Sequence, residues 1–191
     1  MSPPSREALI APARNLSRAF ASPPPSSGDS DGTTEQILSH FTTTTPPPLV
    51  IEHGHPSLAP FLGRTFHGRD GVAQYFNLLA STLSYRDMVF EPEDEWVVDT
   101  QNASVSLRGR ARFKWLSTGE EWEETFTWLL RLAREDEGAS EEYKVSEYKV
   151  WADTGAAFLA SRGEFTKHVK EAQDGKETRG MTMSWAGRKW P

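Results

Sequence analysis

The sequence contains no cysteine, which excludes disulfide bonds, thiolate zinc sites and cysteine nucleophiles together. It also lacks an uninterrupted apolar run of the roughly 18 residues that a membrane-spanning helix requires. Its first 21 residues contain no apolar segment typical of a secretory signal. These absences predict a cytoplasmic protein that does not enter a membrane.

Positive charge is also scarce: the sequence contains 21 Lys and Arg residues against 27 Asp and Glu residues, which gives a net charge of −6. This balance argues against a basic nucleic-acid-binding surface. The sequence contains no glycine-rich phosphate loop, dinucleotide fingerprint or Ser-His-Asp spacing, so we predict no cofactor. Seven Trp and ten Phe among 191 residues nevertheless indicate a real core, and the length fits one domain with tails.

Composition divides the chain into three parts. Residues 1–32 predict an N-terminal helix followed by a linker rich in Pro and Ser. Pro12 lies within the apolar pattern of this helix, so it marks either the first turn or a kink. Residues 33–165 predict the folded domain, and residues 166–191 predict a flexible or loosely docked tail.

Periodicity within the folded domain predicts helices first and strands afterwards. Helices are expected at about residues 34–41 and 69–83, and strand-like alternation begins after Ser84. Alternation over residues 103–115 separates an apolar face from a basic one, which we interpret as a solvated face or dimer interface. A turn at 117–120 then places Glu121 and Glu123 beside Lys114 and Arg112. This order predicts an α+β fold with helices on one face of an antiparallel sheet.

Three segments together resemble the SnoaL-like, nuclear-transport-factor-2-like superfamily. Residues 66–76, Phe-His-Gly-Arg-Asp-Gly-Val-Ala-Gln-Tyr-Phe, are similar to the turn that opens the third helix of that superfamily. The Trp- and Phe-rich strands resemble its curved sheet, and residues 145–153 resemble its closing strand. The resemblance, over about residues 33–162, implies a cone-shaped roll with three N-terminal helices packed on a strongly curved antiparallel sheet around an apolar pocket.

The same resemblance implies a function and an assembly. The superfamily includes polyketide cyclases, ketosteroid isomerases and dehydratases, as well as proteins without catalysis, and its members often form homodimers through the sheet. We therefore expect a pocket for an apolar or aromatic, polyketide- or steroid-like molecule, with cofactor-free isomerase, cyclase or dehydratase activity. The alternative is a non-catalytic ligand-binding or scaffold module. Lys149 and Val150 replace the usual aromatic-Asp pair after the Glu of the last strand.

Acid–base chemistry in such a pocket needs a carboxyl or imidazole group whose pKa is moved by burial. Asp153 and His53 are the first candidates, followed by Glu147 and Glu52. If the face of the last strand that carries Asp153 points inward, Glu147 accompanies it. Otherwise Glu147 pairs with Lys149 in solvent, and Asp153 caps a helix that begins near residue 154.

The loop that carries His53 has three interpretations. His53 is a general base oriented by Glu52, or it binds a metal with His55 and His67, or the loop is simply polar; we predict no metal site. The expected walls of the pocket are aromatic: Trp115, Phe126, Trp128, Trp151 and Phe76. An enzyme is expected to show two titratable groups facing each other across a closed cavity, and a scaffold a filled or purely apolar interior with Asp153 and His53 pointing to solvent.

Overall fold

The computed structural model describes residues 3–21, 30–135 and 142–177. These residues form an α+β structure, as the sequence predicted, with five α-helices and seven strands. The helices are α1 (Arg6–Ala21), α2 (Ser30–Leu38), α3 (Gly68–Thr82), α4 (Thr154–Ser161) and α5 (Phe165–Glu177). The strands are β1 (Leu49–Glu52), β2 (Thr65–His67), β3 (Leu83–Phe90), β4 (Val97–Asp99), β5 (Ser104–Trp115), β6 (Glu121–Glu135) and β7 (Glu142–Trp151).

The strands form a single mixed sheet in the order β2-β1-β7-β6-β5-β3, and β4 also pairs with β5. All pairs are antiparallel except β1 with β7, where Leu49 lies opposite Glu147 in a parallel register. The sequence predicted antiparallel strands only. The parallel pair is possible because most of the domain, rather than a tight turn, connects β1 to β7.

The β5–β6 hairpin has the register that its charge pattern predicted. Arg112 lies opposite Glu123, and Lys114 lies opposite Glu121. A salt bridge of 3.5 Å joins Arg112 Nη2 to Glu123 Oε2 on the outer face. The opposite face is buried and supplies apolar side chains to the core, among them Val105, Leu107, Ala111, Trp122, Phe126 and Trp128.

A β-bulge changes the inward face of β7. Arg131 of β6 pairs with Glu147, whereas the next residue, Leu132, pairs with Val145, so Ser146 is the extra residue. Val145 and Ser146 are consequently both buried, and the alternation is reversed beyond them. After the bulge, Tyr148 and Val150 point inward, and residues 147, 149 and 151 point outward. The face that carries Glu147 is therefore the outer one.

Helix α1 belongs to the domain core. Leu9, Leu16 and Phe20 are buried, and the helix packs against β7 and β3. Pro12 lies inside the helix and does not begin it. Packing of this apolar stripe stabilises a helix that is too short to be stable alone.

The segments predicted as linker and tail contain more helix than expected. Helix α2 begins at Ser30, and residues 22–29 of the predicted linker lie outside the described residues. Helix α5 (Phe165–Glu177) occupies residues 166–177 of the predicted tail. Residues 178–191, which include Trp185 and Trp190, lie outside the described part. No helix in the described ranges has both the length and the apolar character needed to cross a bilayer.

Gly109 of β5 makes room for two aromatic rings. A Cβ atom at this position would lie 2.6 Å from Phe126 Cζ and 2.9 Å from Phe90 Cδ1. The two rings meet edge to face, with centroids 5.9 Å apart. The glycine therefore allows close packing above the strand.

Substituting Gly109→Ala should destabilise the fold, because the added methyl group overlaps a ring held by the core. We expect the free energy of unfolding, measured by urea denaturation, to fall by about 1–3 kcal/mol. The same substitution in a Phe126→Leu background should cost less, since the overlapping ring is then absent. An equal cost in both backgrounds would contradict this explanation.

Candidate active site

The inner face of the sheet and helices α1 to α4 surround a cavity of about 290 Å³. Most of its wall is apolar or aromatic. Three of the five predicted aromatic residues line it, namely Phe76, Phe126 and Trp128. The polar side chains on the wall that carry an acidic or hydroxyl group are Glu52, Glu124, Asp153, Tyr75, Tyr85, Tyr148, Thr34 and Thr154.

Glu52 is the most deeply buried of the predicted acid–base residues. It ends β1 and points inward with Val50, because alternate residues of a strand share a face. The Tyr75 hydroxyl of α3 donates a hydrogen bond of 2.6 Å to Glu52 Oε2. Burial raises the pKa of Glu52 to about 7, although the hydrogen bond from Tyr75 lowers it in part. Glu52 is therefore able to take or give a proton near neutral pH.

Glu124 is a second inward-facing carboxyl, which the sequence analysis missed. It lies on β6 between Trp122 and Phe126 and shares their face. The indole Nε1 of Trp122 donates a hydrogen bond of 2.7 Å to Glu124 Oε2. Burial raises the pKa of Glu124 to about 7 against the effect of the Trp122 bond, and the negative charges of Asp153 and Glu52 add to the rise. Strict alternation with Trp122 was the signal that would have identified it.

Asp153 follows β7 and lies where the cavity meets α4. Its Oδ1 accepts a hydrogen bond of 3.0 Å from the backbone N–H of Ala156, so it caps α4. The same residue lines the cavity. The capping interpretation therefore describes its contacts, and a catalytic role for Asp153 stays a prediction.

Tyr148 was also missed by the sequence analysis. It is only 3% exposed, lines the cavity and packs edge to face on Trp128 with ring centroids 5.0 Å apart. Among the described residues, none forms a hydrogen bond with its hydroxyl. Burial raises the pKa of Tyr148 well above its usual value, so the hydroxyl stays protonated.

The remaining predicted acid–base residues lie outside the cavity wall. Glu147 is on the outer face of the sheet, where Oε2 lies 2.7 Å from Lys149 Nζ. His53 is exposed and stacks on Trp151, with ring centroids 4.4 Å apart. Since Glu52 and His53 are consecutive, they point to opposite sides, and Glu52 does not orient His53.

Two predicted ligand-binding residues and the predicted polar loop also lie elsewhere. Trp151 is 39% exposed, and the buried Trp115 donates from Nε1 to Ser117 Oγ over 3.1 Å. His55 Nδ1 lies 2.7 Å from Ser57 Oγ. Within residues 3–21, 30–135 and 142–177, no three His, Asp or Glu side chains are grouped to hold a metal ion.

No protein-family model and no curated protein matches the sequence. Solved structures do match the fold. An NTF2-like protein from Burkholderia xenovorans is 16% identical, with 82% of this chain and 98% of that chain covered and a TM-score of 0.56. AusH from Aspergillus nidulans is 21% identical, with coverage of 79% and 87% and a TM-score of 0.52.

A third similar structure, the BvnE pinacolase from Penicillium brevicompactum, is 16% identical, with 90% of this chain and 98% of that chain covered and a TM-score of 0.52. At these identities the shared property is the fold. The chain therefore has an NTF2-like fold, as its sequence motifs predicted.

The raised pKa of Glu52 should be visible in the pH dependence of stability. Between its ordinary value of 4.5 and its folded value of about 7, the native state binds more protons than the unfolded state. The free energy of unfolding should therefore fall as pH rises through this window, by up to roughly 3 kcal/mol from this group.

Urea denaturation across this pH range should show a shallower fall for Glu52→Gln than for the wild type, because the variant cannot ionise. The variant should consequently be the more stable protein above about pH 7. Glu147→Gln, on the outer face, is the matched control and should follow the wild-type curve. If the free energy of unfolding changed with pH in parallel for the wild type and Glu52→Gln, the raised pKa of Glu52 would be refuted.

Proposed function

We propose that the protein binds a small apolar or aromatic molecule in this cavity and catalyses its isomerisation, cyclisation or dehydration by cofactor-free acid–base chemistry. One observation carries the proposal: a buried carboxyl, Glu52, and a partly buried one, Glu124, line the same largely apolar cavity. Tyr75 donates a hydrogen bond to Glu52, and the Trp122 indole donates one to Glu124. The ring system of the substrate is polyketide- or steroid-like.

The two carboxyls suit proton transfer at neutral pH. Because the pKa of each is raised to about 7, both the acid and the carboxylate are well populated there. One carboxylate removes a proton from carbon next to a carbonyl group, and the other carboxylic acid returns a proton elsewhere. The hydroxyl of Tyr148 is a donor for the oxyanion that forms, and Asp153 is a further proton acceptor.

The other candidate residues take no part in this proposal. His53 and Glu147 are separated from the cavity by the sheet itself, because they lie on its outer side. Trp115 and Trp151 do not line the cavity either. The walls that would hold the substrate are instead Phe76, Phe126 and Trp128.

The neighbours in structure support the reaction class. Their names include a pinacolase and a putative isomerase from Rhodopseudomonas palustris, the latter 14% identical with a TM-score of 0.56. A shared fold does not by itself transfer an activity, so the weight rests on the carboxyls.

The non-catalytic alternative explains the carboxyls less well. A scaffold gains nothing from burying two carboxyls, whose desolvation opposes folding. A cavity with titratable walls is the arrangement expected of an enzyme. A cytoplasmic location and a homodimer formed through the outer face of the sheet remain predictions from the sequence.

The proposal is tested with a β,γ-unsaturated cyclohexenone, whose conversion to the conjugated ketone changes its ultraviolet absorbance. We expect Glu52→Gln and Glu124→Gln each to lower kcat/KM by roughly 100- to 10,000-fold, because each removes a proton-transfer group. Glu147→Gln should retain wild-type activity. Unchanged rates in both cavity variants would remove the catalytic part of the proposal.

A further inference from the structure

We propose that the substrate of this cavity is an aromatic or polycyclic amine, bound as its cation with the positive charge facing the carboxyls of Glu52, Glu124 and Asp153. The inference rests on the proposed function, because it names the substrate class of the same site. Three observations support it: the charges on the wall of the cavity, the pairing of buried carboxyls with Lys or Arg elsewhere in the chain, and the chemistry of the surrounding aromatic rings.

The charged groups of the wall all have one sign. Three carboxyl side chains line the cavity, and among the described lining residues there is no Lys, Arg or His. Glu124 lies close enough to Asp153 and Glu52 for both charges to act on it. A carboxylate or phosphate on a guest would meet this negative wall, whereas a cation would neutralise it.

Elsewhere the same chain pairs its buried carboxyls with cations. Glu135, with a side chain only 1% exposed, lies 3.3 Å from Lys144 Nζ. Glu91, 4% exposed, accepts from Arg108 Nε over 2.8 Å. In the described part of the chain, by contrast, no Lys, Arg or His forms an ion pair with Glu52 or Glu124. The missing countercharge is the one that a cationic guest supplies.

The aromatic wall favours the same sign of charge. The ring of Trp128 lies 5.7 Å from that of Phe126 and 5.0 Å from that of Tyr148, measured between centroids. Ring faces carry partial negative charge and attract a nearby ammonium group, most strongly where water is excluded. An aromatic body on the guest packs against the same rings, so one wall serves both parts of the molecule.

The hydroxyl of Tyr148 is an independent sign of a polar guest. Its side chain is almost fully buried, yet no described residue forms a hydrogen bond with this hydroxyl. A hydroxyl that lines a cavity and has no protein partner is available to a polar guest as donor or acceptor. The hydroxyl oxygen is an acceptor for an ammonium N–H.

The test compares three molecules with one aromatic body and different charge: naphthylmethylamine as a cation, naphthylmethanol as a neutral molecule and naphthoate as an anion. Isothermal titration calorimetry at about pH 8 should show the amine binding about tenfold more tightly than the alcohol, and the anion more weakly than both. Naphthoate binding as tightly as the amine would overturn the inference.

The preference should also depend on pH. Glu52 faces Tyr75, Tyr148 and Glu124, and Glu124 faces Trp122, Asp153 and Glu52. At about pH 5 the two glutamates are largely protonated, so the advantage of the amine over the alcohol should shrink. The amine should release protons when it binds near pH 7, which calorimetry in two buffers of different ionisation enthalpy measures.

Variants separate this inference from the proposed function. Glu52→Gln and Glu124→Gln should each weaken binding of the amine several-fold and leave the affinity for the alcohol unchanged. Binding of the alcohol also reports that the cavity is intact. Glu147→Gln is the control and should bind all three molecules like the wild type. Equal binding of the amine and the alcohol at both pH values would overturn the inference that the guest is a cation. The proposed function would stand. If none of the three binds, the proposed function fails as well.

Discussion

One face of the long strands β5, β6 and β7 has to serve both as the hydrophobic core and as the wall of the cavity. The alternation of β6 places Trp122, Glu124, Phe126 and Trp128 on that face in turn. Glu124 is partly buried because its neighbours on this face are buried, and its raised pKa follows from that burial. The acid–base character of Glu124 therefore comes from the geometry of the sheet.

The carboxyls of the cavity oppose folding, and the rest of the fold compensates. Tyr75 donates a hydrogen bond to Glu52, and the Trp122 indole and the backbone N–H of Asp153 donate to Glu124. These bonds limit the rise of both pKa values without abolishing it. A fully apolar inner face would be more stable, but it would have no groups that exchange protons. Departures from apolar patterning are expected at functional sites for this reason.

The sequence predicted the features that depend on neighbouring residues and missed those that depend on irregularities or distant pairing. The register of Arg112 with Glu123 follows from uninterrupted alternation around a short turn. The inward face of β7 could not be predicted, because the single extra residue at Ser146 reverses it without any marker in the sequence. The parallel pairing of β1 with β7 joins segments that are far apart in the chain. The sequence analysis missed Glu124, which follows Glu121 and Glu123, the two outward-pointing glutamates on either side of Trp122.

Asp153 holds the first turn of α4 and also forms part of the cavity wall. Replacing it would therefore alter a helix terminus and the polarity of the cavity in a single step. Glu124 also links two elements, because its carboxylate accepts from the Trp122 indole on its own strand and from the backbone N–H of Asp153. A change at either position therefore reaches both the wall of the cavity and the junction of β7 with α4.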